Sequence, residues 1–249
     1  MLQSNLIARS VCILAVAVLL LVVTNASSHA ASPDDEICDV NADQALGLED
    51  YTATIALHRQ FLSTHPGDAL AHYHLGFAYG ATGRMTDEIT EYLAAAKLGL
   101  ERWDLFLNLG LAYQDQKDTP KAVAALQNAV LLGPAHTEAH FDLAIAYERA
   151  DDSNRALREI NAALALAPAD PDERNTKAII CSERGDLLCA RNEWTYLSQL
   201  VPVYAPARVN LSILNRSQMP ATAATGASSA LGGGNLAFAT TVCSIAACR

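Results

Sequence analysis

Apolar and small residues recur along this chain on a fixed period of 34, at Leu75-Gly76, Leu109-Gly110, Leu143-Ala144 and Leu211-Ser212, with the weaker copy Lys177-Ala178 midway between the last two. Other positions keep the same register: Tyr79, Tyr113, Tyr147 and Cys181; Ala122, Ala156 and Ala190; Tyr92, Leu126, Ile160 and Trp194; Pro134, Pro168 and Pro202. Within each period the apolar residues fall at helical spacing in two stretches separated by a polar break, so each stretch is a helix that must bury one stripe. The register predicts helix pairs over 69–98, 103–132, 137–166 and 171–200. Small residues at Gly76, Gly110, Ala144 and Ala178 on the first helix, and at Ala122, Ala156 and Ala190 on the second, let two axes approach closely. The prolines end the second helices, because proline lacks the amide donor and disfavours helical geometry in the residue before it.

The slots resemble the tetratricopeptide repeat, a 34-residue unit with the pattern W-x2-L-G-x2-Y, then A-x3-F, then P. The resemblance covers residues 69–216 and implies an all-α, right-handed solenoid of stacked antiparallel helix pairs with a C-terminal cap helix. Departures are visible: the Trp slot holds His72, Phe106, His140 and Arg174, the first Ala slot holds Glu88, and Lys177 stands in a Leu slot. Upstream, 51–64 followed by Pro66 matches the second helix of a preceding unit, whereas 36–48 matches a first helix poorly.

The resulting organisation is an export signal over 1–30, a degenerate half-repeat or cap over 31–66, four repeats over 67–204, a cap helix over 205–216 and a low-complexity tail over 217–249. The signal rests on Arg9 as the only charge ahead of the apolar run Val11 to Val23, and on Ser28-His29-Ala30 as a cleavage site. Cleavage makes the protein periplasmic or secreted. The alternative is a membrane anchor formed by the uncleaved segment, although its apolar run is shorter than the ~20 residues that a span needs. The tail is rich in Ala, Thr, Ser and Gly, the composition of chain that does not fold.

A net charge of −10 argues against nucleic acid or an anionic membrane as partner, since both require clustered Lys and Arg. Catalytic and cofactor signatures are missing: there is no G-x-S-x-G, phosphate loop, H-E-x-x-H or dinucleotide fingerprint, so no enzyme activity and no cofactor is expected. A metal is not expected either. His72 and His74 diverge on their helix, while His136 and His140 share a face but lack a third ligand at usable spacing. Cys181 and Cys189 flank one inter-helix turn and are candidates for a disulfide; the other reading is two small core residues. The N-x-S sequons at Asn210 and Asn215 read as accidental surface residues of the cap helix.

The resemblance also implies where a partner would bind. The second, fifth, ninth and twelfth residues of each first helix line the concave face of the stack. That face takes Tyr73 and Phe77 from the first unit, Asp104, Leu107, Leu111 and Gln114 from the second, Phe141, Ile145 and Glu148 from the third, and Asn175 and Ile179 from the fourth. An apolar stripe rimmed by acids suits a peptide or protein segment, and the same residues could instead contact neighbouring units. Clamps for chaperone C-terminal carboxylates are excluded, because Tyr73, Phe77, Glu138 and Asp142 hold the positions where such clamps place Lys, Asn and basic residues; only Asn108 matches. Two function classes follow: a non-catalytic scaffold or adaptor of the cell envelope, and an accessory or regulatory subunit of an enzyme or assembly machine supplied by another chain.

Overall fold

A computed structural model describes residues 37–217, and among these there are eleven helices and no strand. They are α1 (Val40–Gly47), α2 (Tyr51–Thr64), α3 (Ala69–Ala81), α4 (Met85–Lys97), α5 (Trp103–Asp115), α6 (Thr119–Leu132), α7 (Thr137–Arg149), α8 (Ser153–Leu166), α9 (Pro171–Glu183), α10 (Leu187–Leu200) and α11 (Ala205–Ser217). Each helix packs on the one before and the one after it, and the first helices of successive pairs also touch, which makes the array an α-helical solenoid. The expected signal at 1–30 and the tail beyond Ser217 lie outside the described residues.

The turn inside each pair repeats as faithfully as the core. Glu49, Gly83, Lys117, Asp151 and Gly185 stand 34 apart, and all five adopt positive φ, between 58° and 79°. Only glycine takes that conformation without steric cost. The residue after each one starts the second helix, and Asp50, Asp118, Asp152 and Asp186 cap it by accepting the amide of the residue three positions on. An aspartate there satisfies one of the free amides of the first turn and favours the dipole. Arg84 breaks the series and pairs with Asp87 instead. Because Glu49 and Asp50 obey the same rule, α1 and α2 form a genuine helix pair, where sequence matching read 36–48 as a poor first helix.

The small residues set the spacing within pairs. A Cβ added at Gly76 would stand 2.7 Å from the Tyr92 ring, and one at Gly110 would stand 2.5 Å from Leu126 Cγ. The Trp slot, where the family pattern fails, is filled by a polar clamp. His72 contacts Glu91 (Nδ1–Oε2 2.5 Å) and the Pro66 carbonyl (3.2 Å); His140 repeats this with Glu159 (2.8 Å) and Pro134 (3.2 Å). Arg174 does the same with Glu193 (2.7 Å) and Pro168 (2.8 Å), and Lys177 joins it on Glu193 at 2.8 Å. In the second unit the same two slots hold Phe106 and Ala125, so there an apolar pair replaces the polar pair of the other three units.

The last repeat is tied further. Cys181 and Cys189 are joined by a disulfide with Cα atoms 5.9 Å apart, linking α9 to α10 across their turn. Helix α11 buries Ala207 and Leu214 against α10, and Asn210 is fully buried, donating to Asn175 Oδ1 (3.4 Å). Asn210 is therefore an interior residue of the cap, not a surface one; Asn215 is exposed.

Candidate functional site

The first helices carry the residues that the register assigns to the concave face, and the structure divides them. Tyr73, Leu107, Phe141, Ile145, Asn175 and Ile179 are buried, each at 8% exposure or less. The fifth position of a first helix points at the next unit, so stacking covers it. Tyr73 shows the consequence: its hydroxyl donates to Asp104 Oδ2 (3.1 Å) and accepts from Asn108 Nδ2 (3.3 Å), fastening the first repeat to the second. Asp104 also takes two bonds from Arg102 (3.0 and 2.8 Å). Burial raises the Asp104 carboxyl, but Arg102 and the Tyr73 hydroxyl outweigh it and hold the group below its usual range. Gln114 links the second repeat to the third, donating to the Asp142 carbonyl (3.3 Å) and accepting from Arg149 (2.8 Å). Asn175 accepts from Trp194 Nε1 (3.0 Å) as well as from Asn210. The bonds of Tyr73, of Gln114 and of Asn175 with Asn210 serve the seams between units.

Phe77 and Leu111, both at the ninth position, are half-buried and line one pocket of about 200 Å³. Its other walls come from Tyr51, Gly80, Ala81, Tyr92, Asn108 and Ala112, and it contains two carboxylates, Glu88 and Asp115. The Tyr51 and Phe77 rings lie 6.4 Å apart at 56°. Glu88 fits there because Gly80 is opposite: a Cβ on Gly80 would stand 2.6 Å from Glu88 Oε1. Burial first, and then the charge of Asp115, push the Glu88 carboxyl up to about 7. A second cavity of about 490 Å³ shares Asp115 and adds Gln114, Lys117 and Arg149.

Acids crowd elsewhere between units. Burial, then the neighbouring Glu148 carboxylate, raises Glu183 to about 7, and burial with Asp170 and Glu138 raises Glu173 to about 7. Register alone did not bring Glu88, Asp115 and Tyr51 into the pocket. A signal existed in Glu88, which occupies a slot that packing reserves for alanine.

The histidines do not behave alike. His136 stacks on Trp103 with centroids 3.6 Å apart, and His140 is taken up by Glu159. His74, however, meets Asp43 of α1 (Nδ1–Oδ1 2.7 Å), Cys38 (3.5 Å) and the edge of the His58 ring of α2. His74 diverges from His72, as their spacing implies, but its ligand-type neighbours come from the N-terminal helix pair and the residue ahead of it, not from its own helix.

Two family profiles, both described as tetratricopeptide repeat, match residues 40–100 and 109–180, together just over half of the 249 residues. No curated protein sequence matches the chain. Among solved structures it is similar to YrrB, described as a tetratricopeptide-repeat protein with an unusual peptide-binding site, at 20% identity and a TM-score of 0.64, covering 68% of this chain and 87% of that one. It is also similar to MamA (18% identity, TM-score 0.62, 66% and 90% covered) and to MamA from Desulfovibrio magneticus RS-1 (16%, 0.61, 66% and 92%). At these identities the likeness is one of fold.

Proposed function

Since the chain belongs to the tetratricopeptide-repeat family, whose members are generally non-catalytic interaction scaffolds, we propose that it is an adaptor of the cell envelope that takes a peptide segment on the face formed by α3 and α5. The observation that carries this reading is the pocket in which Phe77, Leu111 and Tyr51 surround the paired carboxylates of Glu88 and Asp115. Apolar walls with two acids in one recess suit a segment bearing an apolar anchor next to Lys or Arg, because a cation entering there relieves the repulsion between the acids while the anchor buries against the rings. The −10 charge of the chain favours the same class of partner through long-range attraction.

Envelope placement follows from the apolar run and cleavage site near the N-terminus. Among the described residues no helix is long and apolar enough to cross a membrane. The peptide-binding site in the description of YrrB accords with the reading. An array of immobilised peptides, half basic–apolar and half acidic–apolar at equal length, tests it. Retention confined to the basic–apolar set is expected; equal or inverted retention would overturn the assignment.

A further inference from the structure

We propose that Cys38, Asp43, His58 and His74 form a binding site for one zinc ion that fastens the N-terminal helix pair to the first full repeat. The four residues come from three parts of the fold: Cys38 precedes α1, Asp43 lies in its first turn, His58 is in α2 and His74 in α3. One donor atom from each lies within 4.8 Å of all the others. Cys38 Sγ is 3.4 Å from Asp43 Oδ1, 3.4 Å from His58 Nε2 and 3.5 Å from His74 Nδ1. Asp43 Oδ1 is 3.3 Å from His58 Nε2 and 2.7 Å from His74 Nδ1. Bonds of about 2.0–2.3 Å to a tetrahedral zinc place N, O and S donors roughly 3.3–3.6 Å apart. Four of these five separations already have that size, and the fifth needs to open by little more than half an ångström.

The surroundings aim these atoms. Asp43 Oδ2 accepts the backbone amides of Cys38 (2.9 Å) and Asp39 (3.2 Å), which turns Oδ1 to the centre. His58 Nδ1 is 3.0 Å from the Thr54 carbonyl. A carbonyl can only accept, so that nitrogen carries a proton and a neutral His58 presents the Nε2 lone pair inward. Outer contacts of this kind fix the tautomer and orientation of metal ligands. His58 is fully buried, and Cys38 keeps a free thiol while Cys181 and Cys189 are paired.

One soft thiolate, two imidazoles and a carboxylate suit zinc, and four protein ligands leave no open position, the mark of a structural site. Binding releases the Cys38 thiol proton to solvent, and a neutral His74 ligates through Nδ1 with its ring proton on Nε2. The thiolate and the Asp43 carboxylate then balance the two charges of the ion, so the cluster is neutral. The role is mechanical: α1 is short, eight residues with two of them buried, and the ion would join it to α2 and α3. Metal affinity becomes folding free energy for the segment it joins.

The test is titration of the full chain, purified metal-free, with Zn(II) against a chromophoric chelator, and separately with Co(II). One equivalent of Zn(II), a raised melting temperature, and Co(II) spectra with tetrahedral d–d bands and a thiolate-to-cobalt charge-transfer band are expected. Cys38→Ser should abolish the charge-transfer band, and Cys38→Ser, Asp43→Asn and His74→Gln should each weaken zinc by more than about 100-fold, beyond what loss of an outer contact costs. Because Asp43 and His74 are partly exposed, these variants should keep the wild-type circular dichroism, which separates lost binding from lost folding. No stoichiometric uptake, or uptake by Cys38→Ser equal to that of wild type, would show a hydrogen-bonded cluster only and overturn the proposal.

Discussion

Gly110→Ala adds a single methyl group, and its effect can be worked from the geometry of the second repeat. In an exposed helix the change is favourable by about 1 kcal/mol, because alanine loses less backbone freedom on folding. At Gly110 the new Cβ would stand 2.5 Å from Leu126 Cγ and 2.8 Å from Cδ2. Leu126 is fully buried, so the branch carbon cannot swing away, and α5 and α6 must separate. Overpacking of this kind costs roughly 1–3 kcal/mol. The net expectation is a loss of about 1 kcal/mol, which for a domain of this size lowers the melting temperature by about 2–4 °C. Gly47→Ala is the control, since no atom lies within 4 Å of a Cβ there; it should gain up to about 1 kcal/mol. Thermal melts followed at 222 nm by circular dichroism would decide. If Gly110→Ala melts at or above wild type while Gly47→Ala behaves as expected, the helices of the pair are not in contact through that glycine.

Other consequences follow from the same structure. Lys117 holds positive φ where two other units use glycine, so Lys117→Gly should stabilise the fold by about 1 kcal/mol, read as a higher urea midpoint. Glu88, Glu173 and Glu183 are each raised from an ordinary 4.5 to about 7. The folded state therefore binds these protons more tightly than the unfolded chain. Their contribution is full below about 4.5 and is lost as pH rises to about 7, so Glu88→Gln should be more stable than wild type at pH ~8 by roughly 1–3 kcal/mol and equal to it at pH ~4. Replacing Cys181 and Cys189 together by Ser opens a loop of eight-residue separation and should cost about 2–3 kcal/mol, measured by chemical denaturation.

The period of 34 made the helices legible because identical slots pack identically, and the aspartate caps and left-handed turns strengthen the same register. Burial on the concave face was not legible. Tyr73 and Phe77 are both aromatic, four apart on α3, yet stacking buries one against Asp104 and Asn108 and leaves the other half-buried beside Leu111. Which residue points to the next unit depends on the rotation between units, and a repeat pattern does not state that angle. The Cys38 cluster was hidden for a second reason. Its members are separated by up to 36 positions, and its first two lie in the segment that matched the repeat least well. Metal-ligand spacing is sought within one turn or hairpin, whereas this site is assembled by docking one helix pair on another.

The central claim, that the α3–α5 face holds a basic–apolar segment, is tested most directly by the affinity of one fluorescent peptide with a leucine anchor beside two lysines. It should be measured for wild type, for Phe77→Ala/Leu111→Ala and for Glu88→Gln/Asp115→Asn, with melting curves alongside. Loss of an interface anchor costs ~2 kcal/mol or more, so the first variant should bind at least about 30-fold more weakly while remaining folded. The second should lose both affinity and its dependence on ionic strength. Wild-type affinity should rise as pH increases through about 7, because a lysine in the pocket favours the ionised form of Glu88. Undiminished binding by both folded variants, at any salt concentration, would contradict the account and place the partner surface elsewhere on the solenoid.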